Sequence, residues 1–92
     1  MTVLVLENVS ESLRGECTRF LLEVKVGVFI GTISALVREK LWGKVKEASG
    51  EGNCLIAYPY DNEQGFYMEM YGSPRRTIID MEGLLLIKSV IE

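Results

Sequence analysis

The chain has no histidine, so few of its side chains can do chemistry. Ser-His and Cys-His nucleophilic pairs, imidazole acid-base work and histidine metal ligation are all removed. Two places remain. Glu7 directly follows the apolar run Thr2-Val3-Leu4-Val5-Leu6, where a buried strand surfaces and a rigid backbone can hold a ligand. Its carboxylate could ligate a cation, although no second acid stands beside it; a strand-end acid paired with an arginine is the simpler reading. The second place is Arg75-Arg76-Thr77, behind the turn residues Gly72-Ser73-Pro74. Guanidinium forks suit phosphate oxygens bidentately, better than lysine does, and the alternative is an ordinary solvated pair. Arg14 is the natural companion, and the helix amides after Ser10 could add to an anion site. Ser12 and Glu16 flank Arg14 and lower the phosphate affinity expected there.

These residues must be positioned by regular elements. Thr2–Leu6 reads as a buried strand. Ser10 is a good N-cap, and Val9, Leu13, Cys17, Phe20, Leu21 and Val24 recur at helical spacing, so a helix is predicted from Ser10 to Glu23. Gly15 within it costs about 1 kcal/mol relative to alanine, which a close backbone contact would explain. Val26–Ile30 is a second strand. Thr32 or Ser34 caps a second helix with the stripe Ile33, Leu36, Val37, Leu41, Val45 and Ala48, stopped by Gly50. Its exposed side carries Arg38, Lys40, Lys44 and Lys46, a solvated face that could extend a phosphate track. Asn53–Tyr60 and the alternating Phe66–Tyr71 form a hairpin around Asp61-Asn62-Glu63-Gln64-Gly65. Leu84 to Ile91 is a last, two-sided apolar strand. The order β-α-β-α-β-β with an extra C-terminal strand gives an α+β sandwich in one domain, 1–92. Trp42, Tyr58, Tyr60, Tyr67 and Tyr71 read as packing rather than as a base-stacking platform, since no glycine-aromatic repeat accompanies them.

With 92 residues, 48% of them apolar, and a mean hydropathy of +0.17, the chain carries more apolar surface than so small a core can bury. A homodimer or permanent partner is expected. Thirteen acids against ten bases give a net charge of −3, which argues against a generally basic nucleic-acid binder but leaves room for a local stripe. Cys17 and Cys54 lack metal-ligand spacing and sit in apolar patterns, as reduced core thiols of a cytoplasmic protein would. The N-terminus shows no signal-peptide pattern, and no run reaches membrane-spanning length.

Read in order, Glu7-Asn8-Val9, Leu13-Arg14-Gly15, Leu21-Leu22-Glu23-Val24-Lys25-Val26-Gly27-Val28-Phe29-Ile30-Gly31, Glu51-Gly52-Asn53 and Gly72-Ser73-Pro74-Arg75-Arg76-Thr77 resemble the Cas-two family of CRISPR adaptation proteins, in the branch found with I-E (Cascade) systems. The resemblance runs nearly end to end. It implies a ferredoxin-like fold that dimerises and a non-catalytic scaffold for spacer acquisition. In that arrangement a central dimer bridges two dimers of the Cas-one integrase and holds double-stranded protospacer DNA by its phosphates, through Arg14, Arg75, Arg76 and Thr77. A chain-end strand such as residues 80–92 can pair across a dimer or with a partner's edge, and the resemblance implies that this tail helps dock the integrase. There Leu84 and Leu86 supply apolar cover, and the acids Glu63, Asp80 and Glu82 face a basic partner. No cofactor is needed for scaffolding.

The alternative is a metal-dependent endonuclease. In the wider family an aspartate at the place of Glu7 is a proposed metal ligand, and two copies across a dimer axis would hold one Mg²⁺. Here glutamate sets the carboxylate one methylene further out, and the metal reading rests wholly on symmetry. A third reading is a ferredoxin-like regulatory module that binds a small molecule at its dimer interface, for which the sequence offers no glycine-rich ligand loop.

Overall fold

The structure is a computed structural model, and it describes residues 1–72 in full and the backbone of 76–81 and 84–89. The elements are β1 (Thr2–Glu7), α1 (Glu11–Cys17), β2 (Leu22–Lys25), β3 (Val28–Gly31), α2 (Ala35–Ala48), β4 (Asn53–Pro59), β5 (Phe66–Tyr71), β6 (Arg76–Met81) and β7 (Leu84–Ser89). Strands one to five form an antiparallel sheet in the order β2-β3-β1-β4-β5. β3 lies between β1 and β2, and β1 lies between β3 and β4. The β1-α1-β2 and β3-α2-β4 units therefore interleave, with β5 added outside β4. This α+β arrangement is consistent with a ferredoxin-like fold.

The sheet corrects the expected order. What the helical spacing extends to Glu23 is a seven-residue helix that ends at Cys17, and the single expected strand 26–30 is the hairpin β2–β3. Two apolar periods overlap here. Leu21 is buried, as a helical stripe predicts, but Phe20, Leu22, Val24 and Val26 are all exposed. Gly27, at φ +80, makes the hairpin turn. Its carbonyl accepts from the Leu6 N–H at 2.7 Å, and a Cβ there would collide with the Leu6 carbonyl. Only glycine combines that φ with that approach. Gly15 has no close contact, since an added Cβ would meet nothing within 4 Å.

The other elements start where expected. The Leu13 N–H donates to Ser10 Oγ (3.1 Å) and the Val37 N–H to Ser34 Oγ (3.2 Å), so Ser34, not Thr32, caps α2. The β4–β5 hairpin closes on Asn62, whose Oδ1 accepts from the Gly65 N–H at 2.8 Å and whose Nδ2 donates to the Phe66 carbonyl at 3.0 Å. The chain after the Pro74 turn, expected to hold one final strand, has two. β6 and β7 pair antiparallel as a separate two-stranded sheet, with Ile78 opposite Ile87 and Asp80 opposite Leu85. Asp80 thus sits in β6 and not in the terminal strand.

One face of the main sheet carries the core. Leu4 and Leu6 of β1, Phe29 of β3 and Cys54, Ile56 and Tyr58 of β4 pack with Leu13 and Cys17 of α1 and Leu41, Trp42 and Val45 of α2. Trp42 is thus core, whereas Leu36, expected in the stripe, is exposed. The other face is apolar as well. Val3, Val5, Val28, Ile30, Leu55, Ala57, Phe66, Met68 and Met70 occupy it in register and are half-buried.

Candidate nucleic-acid interface

Three strand ends meet at one end of the sheet, and Glu7 lies there. Glu7 closes β1 opposite Asn53, which opens β4, and Cys54 stands opposite Tyr71, which ends β5. Two glycines make the approach close. A Cβ on Gly52 would sit 2.5 Å from the Asn8 carbonyl oxygen and 2.6 Å from that of Glu7. A Cβ on Gly72, at φ +109, would sit 2.5 Å from the Gly52 carbonyl oxygen and 2.8 Å from Asn53 Oδ1. Asn8 itself takes φ +56, the left-handed conformation that asparagine tolerates better than most residues.

The Glu7 carboxylate is exposed and shares a face with Val3 and Val5, so it lies on the rim of the apolar sheet face. Among the described residues no group of three or more His, Cys, Asp or Glu side chains comes together. One exposed carboxylate does not fit a resident divalent ion. A second copy would have to complete any such site.

Arg14 lies on α1 behind this end and is already engaged. Its Nη1 is 3.6 Å from Glu23 Oε2, and its Nη2 is 3.9 Å from Glu11 Oε1. Both separations are ion pairs longer than a hydrogen bond. Glu23 is the better placed partner, because its Oε2 also accepts from the Gly27 N–H at 2.9 Å. Sequence reasoning missed Glu23. A carboxylate four residues before a turn glycine was the available signal.

Arg75 and Glu82 lie outside the described residues. Arg76 and Thr77 open β6 opposite Ser89 and Lys88, Asp80 lies later in β6, and Leu84 and Leu86 lie in β7; their side chains are outside the described part. Chain geometry alone keeps the Arg76 Cα within about 14 Å of the Gly72 Cα, four residues away. The Arg76 backbone is therefore held by the chain within reach of the sheet end that carries Glu7. Glu63 is exposed in the β4–β5 loop, at the opposite end.

The basic side of α2 is only partly solvated. The Arg38 guanidinium lies over the Tyr58 ring, 3.7 Å from its centroid, and Lys44 Nζ pairs with Glu16 Oε2 at 3.1 Å. The Tyr58 hydroxyl donates to Glu69 Oε2 (3.4 Å), and Tyr67 stacks at a tilt between Tyr58 and Tyr60. Burial, with the Glu69 carboxylate next in weight, pushes the Tyr58 hydroxyl above its ordinary pKa. A groove of about 330 Å³ runs between α2 and β4–β5, lined by Arg38, Trp42, Lys46, Tyr58 and Glu69 among others.

Both thiols are buried and free. Burial pushes each up to about 11, with Glu16 and Glu23 adding for Cys17. Neither is a nucleophile at neutral pH. Among the described residues no helix is long and apolar enough to cross a membrane.

Fold and site together define a small α+β domain with a second, half-buried apolar sheet face and with the acid Glu7 at one sheet end. Residues 1–86 match the family described as CRISPR-associated protein (Cas_Cas2CT1978). The chain belongs to this CRISPR-associated family, which is of the Cas-two type.

Proposed function

We propose that the protein is a homodimeric, non-catalytic scaffold of CRISPR spacer acquisition, of the I-E branch, working in the cytoplasm. It bridges two dimers of the Cas-one integrase and holds protospacer duplex DNA by its phosphates. The observation that carries this reading is the apolar sheet face. Nine half-buried apolar side chains across β3, β1, β4 and β5 line the sheet face that turns away from the helices, with Glu7 on its rim, and an apolar face outside the core calls for cover. A second copy is its natural cover, because a two-fold axis matches such a face to itself. The axis also doubles every phosphate contact made by Arg14, Arg75, Arg76 and Thr77 along one duplex. Backbone contacts of this kind position DNA without reading its sequence. Glu63, Asp80, Glu82, Leu84 and Leu86 are the residues assigned to the integrase.

One observation favours the second reading, a Mg²⁺-dependent endonuclease. Glu7 continues the apolar face of β1 beyond Val3 and Val5, so a two-fold axis passing at that end of the face would bring two Glu7 carboxylates together. Glu7→Ala separates the readings in a reconstituted reaction of integrase, protospacer and target DNA. The scaffold reading expects spacer integration within about twofold of wild type and loss of any Mg²⁺-dependent cleavage. Integration that stops with Glu7→Ala, in a variant that still dimerises, refutes it.

A further inference from the structure

Arg14 is the one candidate phosphate contact whose side-chain surroundings are described, and those surroundings are acidic. Glu11 is 95% exposed on a free helix end, so its carboxylate moves with its side chain. Glu23 is different. It is 26% exposed, ion-paired to Arg14, and anchored through the same oxygen to the Gly27 N–H. Gly27 is in turn locked to the centre of the sheet by its hydrogen bond with Leu6. The Glu23 carboxylate is therefore a fixed anion held against a guanidinium that is itself only 24% exposed.

We propose that Glu23 is a built-in competitor for Arg14, occupying the guanidinium from the hairpin side so that a DNA phosphate must share it or displace the carboxylate. This rests on the DNA-backbone reading above and names a residue that sets its strength. The 3.6 Å separation leaves the guanidinium N–H groups without a tight carboxylate hydrogen bond, so the fork stays available for a bidentate phosphate. Two anions on one cation repel, however, and the protein supplies the first. Glu23 acts as an affinity-setting residue, because it tunes down a contact blind to base sequence. It leaves Arg14 weak for a lone anion and useful only where neighbouring contacts hold a phosphate chain in place.

Glu23→Gln tests this, because the amide oxygen still accepts from the Gly27 N–H while the charge is gone. Binding of the full-length protein to a labelled DNA duplex is measured across a salt series for wild type, Glu23→Gln, Arg14→Ala and the double variant, with circular dichroism confirming the fold of each. Glu23→Gln is expected to bind about three- to tenfold tighter, the scale of removing one like charge near a partly screened phosphate. Its salt slope should steepen by about 0.9 for each additional phosphate neutralised. Both effects should vanish in the Arg14→Ala background. An equal tightening with and without Arg14 would show a diffuse charge effect and overturn the competition. So would an unchanged or weaker affinity of a folded Glu23→Gln. If Arg14→Ala binds like wild type while Arg75→Ala/Arg76→Ala does not, the competition fails and the DNA reading stands. If wild type and Glu23→Gln both fail to bind duplex, the DNA reading falls, and this inference with it.

Discussion

Gly52→Ala is the sharpest probe of whether the sheet end that bears Glu7 is a rigid construction. The added Cβ would stand 2.5 Å from the Asn8 oxygen, 2.6 Å from the Glu7 oxygen and 2.7 Å from Val9 Cγ1. Carbon atoms reach favourable contact near 3.5 Å, so roughly 1 Å of overlap must be relieved. Two of the three obstacles are backbone oxygens, which have no rotamer to change. The β1 end is also committed, since Asn8 already holds φ +56 and Glu7 is paired with Asn53. The strain therefore falls on the strand pairing, at about 2–4 kcal/mol, the upper range for overpacking a fitted site. For a domain of this size each kcal/mol moves Tm by about 4–8 °C, so Gly52→Ala should melt on the order of 10–30 °C lower.

The control for that measurement is Gly43→Ala. Gly43 lies inside α2, and its added Cβ meets nothing within 4 Å. This change should stabilise by about 1 kcal/mol through helix propensity alone. Thermal unfolding followed by circular dichroism, at one fixed protomer concentration because association raises apparent stability, reads both. A Gly52→Ala protein within about 0.5 kcal/mol of wild type would refute the reasoning. It would mean that the α2–β4 connection slides away from β1 freely and that Glu7, Asn53 and Gly72 are not held as one unit.

Three further outcomes follow from charge and burial. Replacing Arg75 and Arg76 by alanine should weaken duplex binding equally for unrelated sequences and flatten the salt dependence by roughly 0.9 for each phosphate no longer neutralised; a loss confined to one sequence argues against backbone contact. Leu55→Asp places a charge within the second apolar sheet face and should convert a dimer into a monomer by light scattering, whereas a dimer that survives it uses another surface. The folded thiols titrate near 11 against an ordinary 9.0, so between those values the unfolded chain releases protons that the native chain keeps. Stability should accordingly be level below pH 9 and fall as pH rises towards 11, and Cys17→Ala/Cys54→Ala should flatten that fall.

Much of the scaffold was legible because its signals were local. Ser10 and Ser34 announce helix starts, Asn62 and Gly65 announce a hairpin loop, and the alternation of β5 puts Phe66, Met68 and Met70 on the second apolar face of the sheet, away from the core. β2 was hidden for a definite reason. Phe20, Leu21 and Val24 keep a helical spacing with Leu13 and Cys17, so the period alone extends α1 through them. The real chain turns after Cys17 and lays Leu22, Val24 and Val26 along an edge, where exposed apolar residues defeat any rule that equates apolar with buried. The candidate site divides the same way. Glu7 was placed by the strand before it, but the partner of Arg14 was not, because Glu23 is nine residues on and neither a helix nor a strand period joins them. Only the fold of the β2–β3 hairpin does.

The acidic net charge and the proposed grip on DNA are reconciled by where the charges sit. Around Arg14 the described ion-pair partners are Glu11 and Glu23, so α1 offers little net positive field, and Lys44 of α2 is taken by Glu16. On the proposed reading, affinity then depends on Arg75 and Arg76. One copy of a two-arginine contact is weak at physiological salt. Two copies related by an axis act on one duplex with the second contact made intramolecular, which multiplies affinity without adding any new interaction. The apolar sheet face and the phosphate contacts are then parts of one device. A variant that loses the dimer should lose DNA far more steeply than its unaltered arginines would suggest, and a heterodimer of wild-type and Arg75→Ala/Arg76→Ala chains should show half the loss in salt slope of the fully substituted dimer.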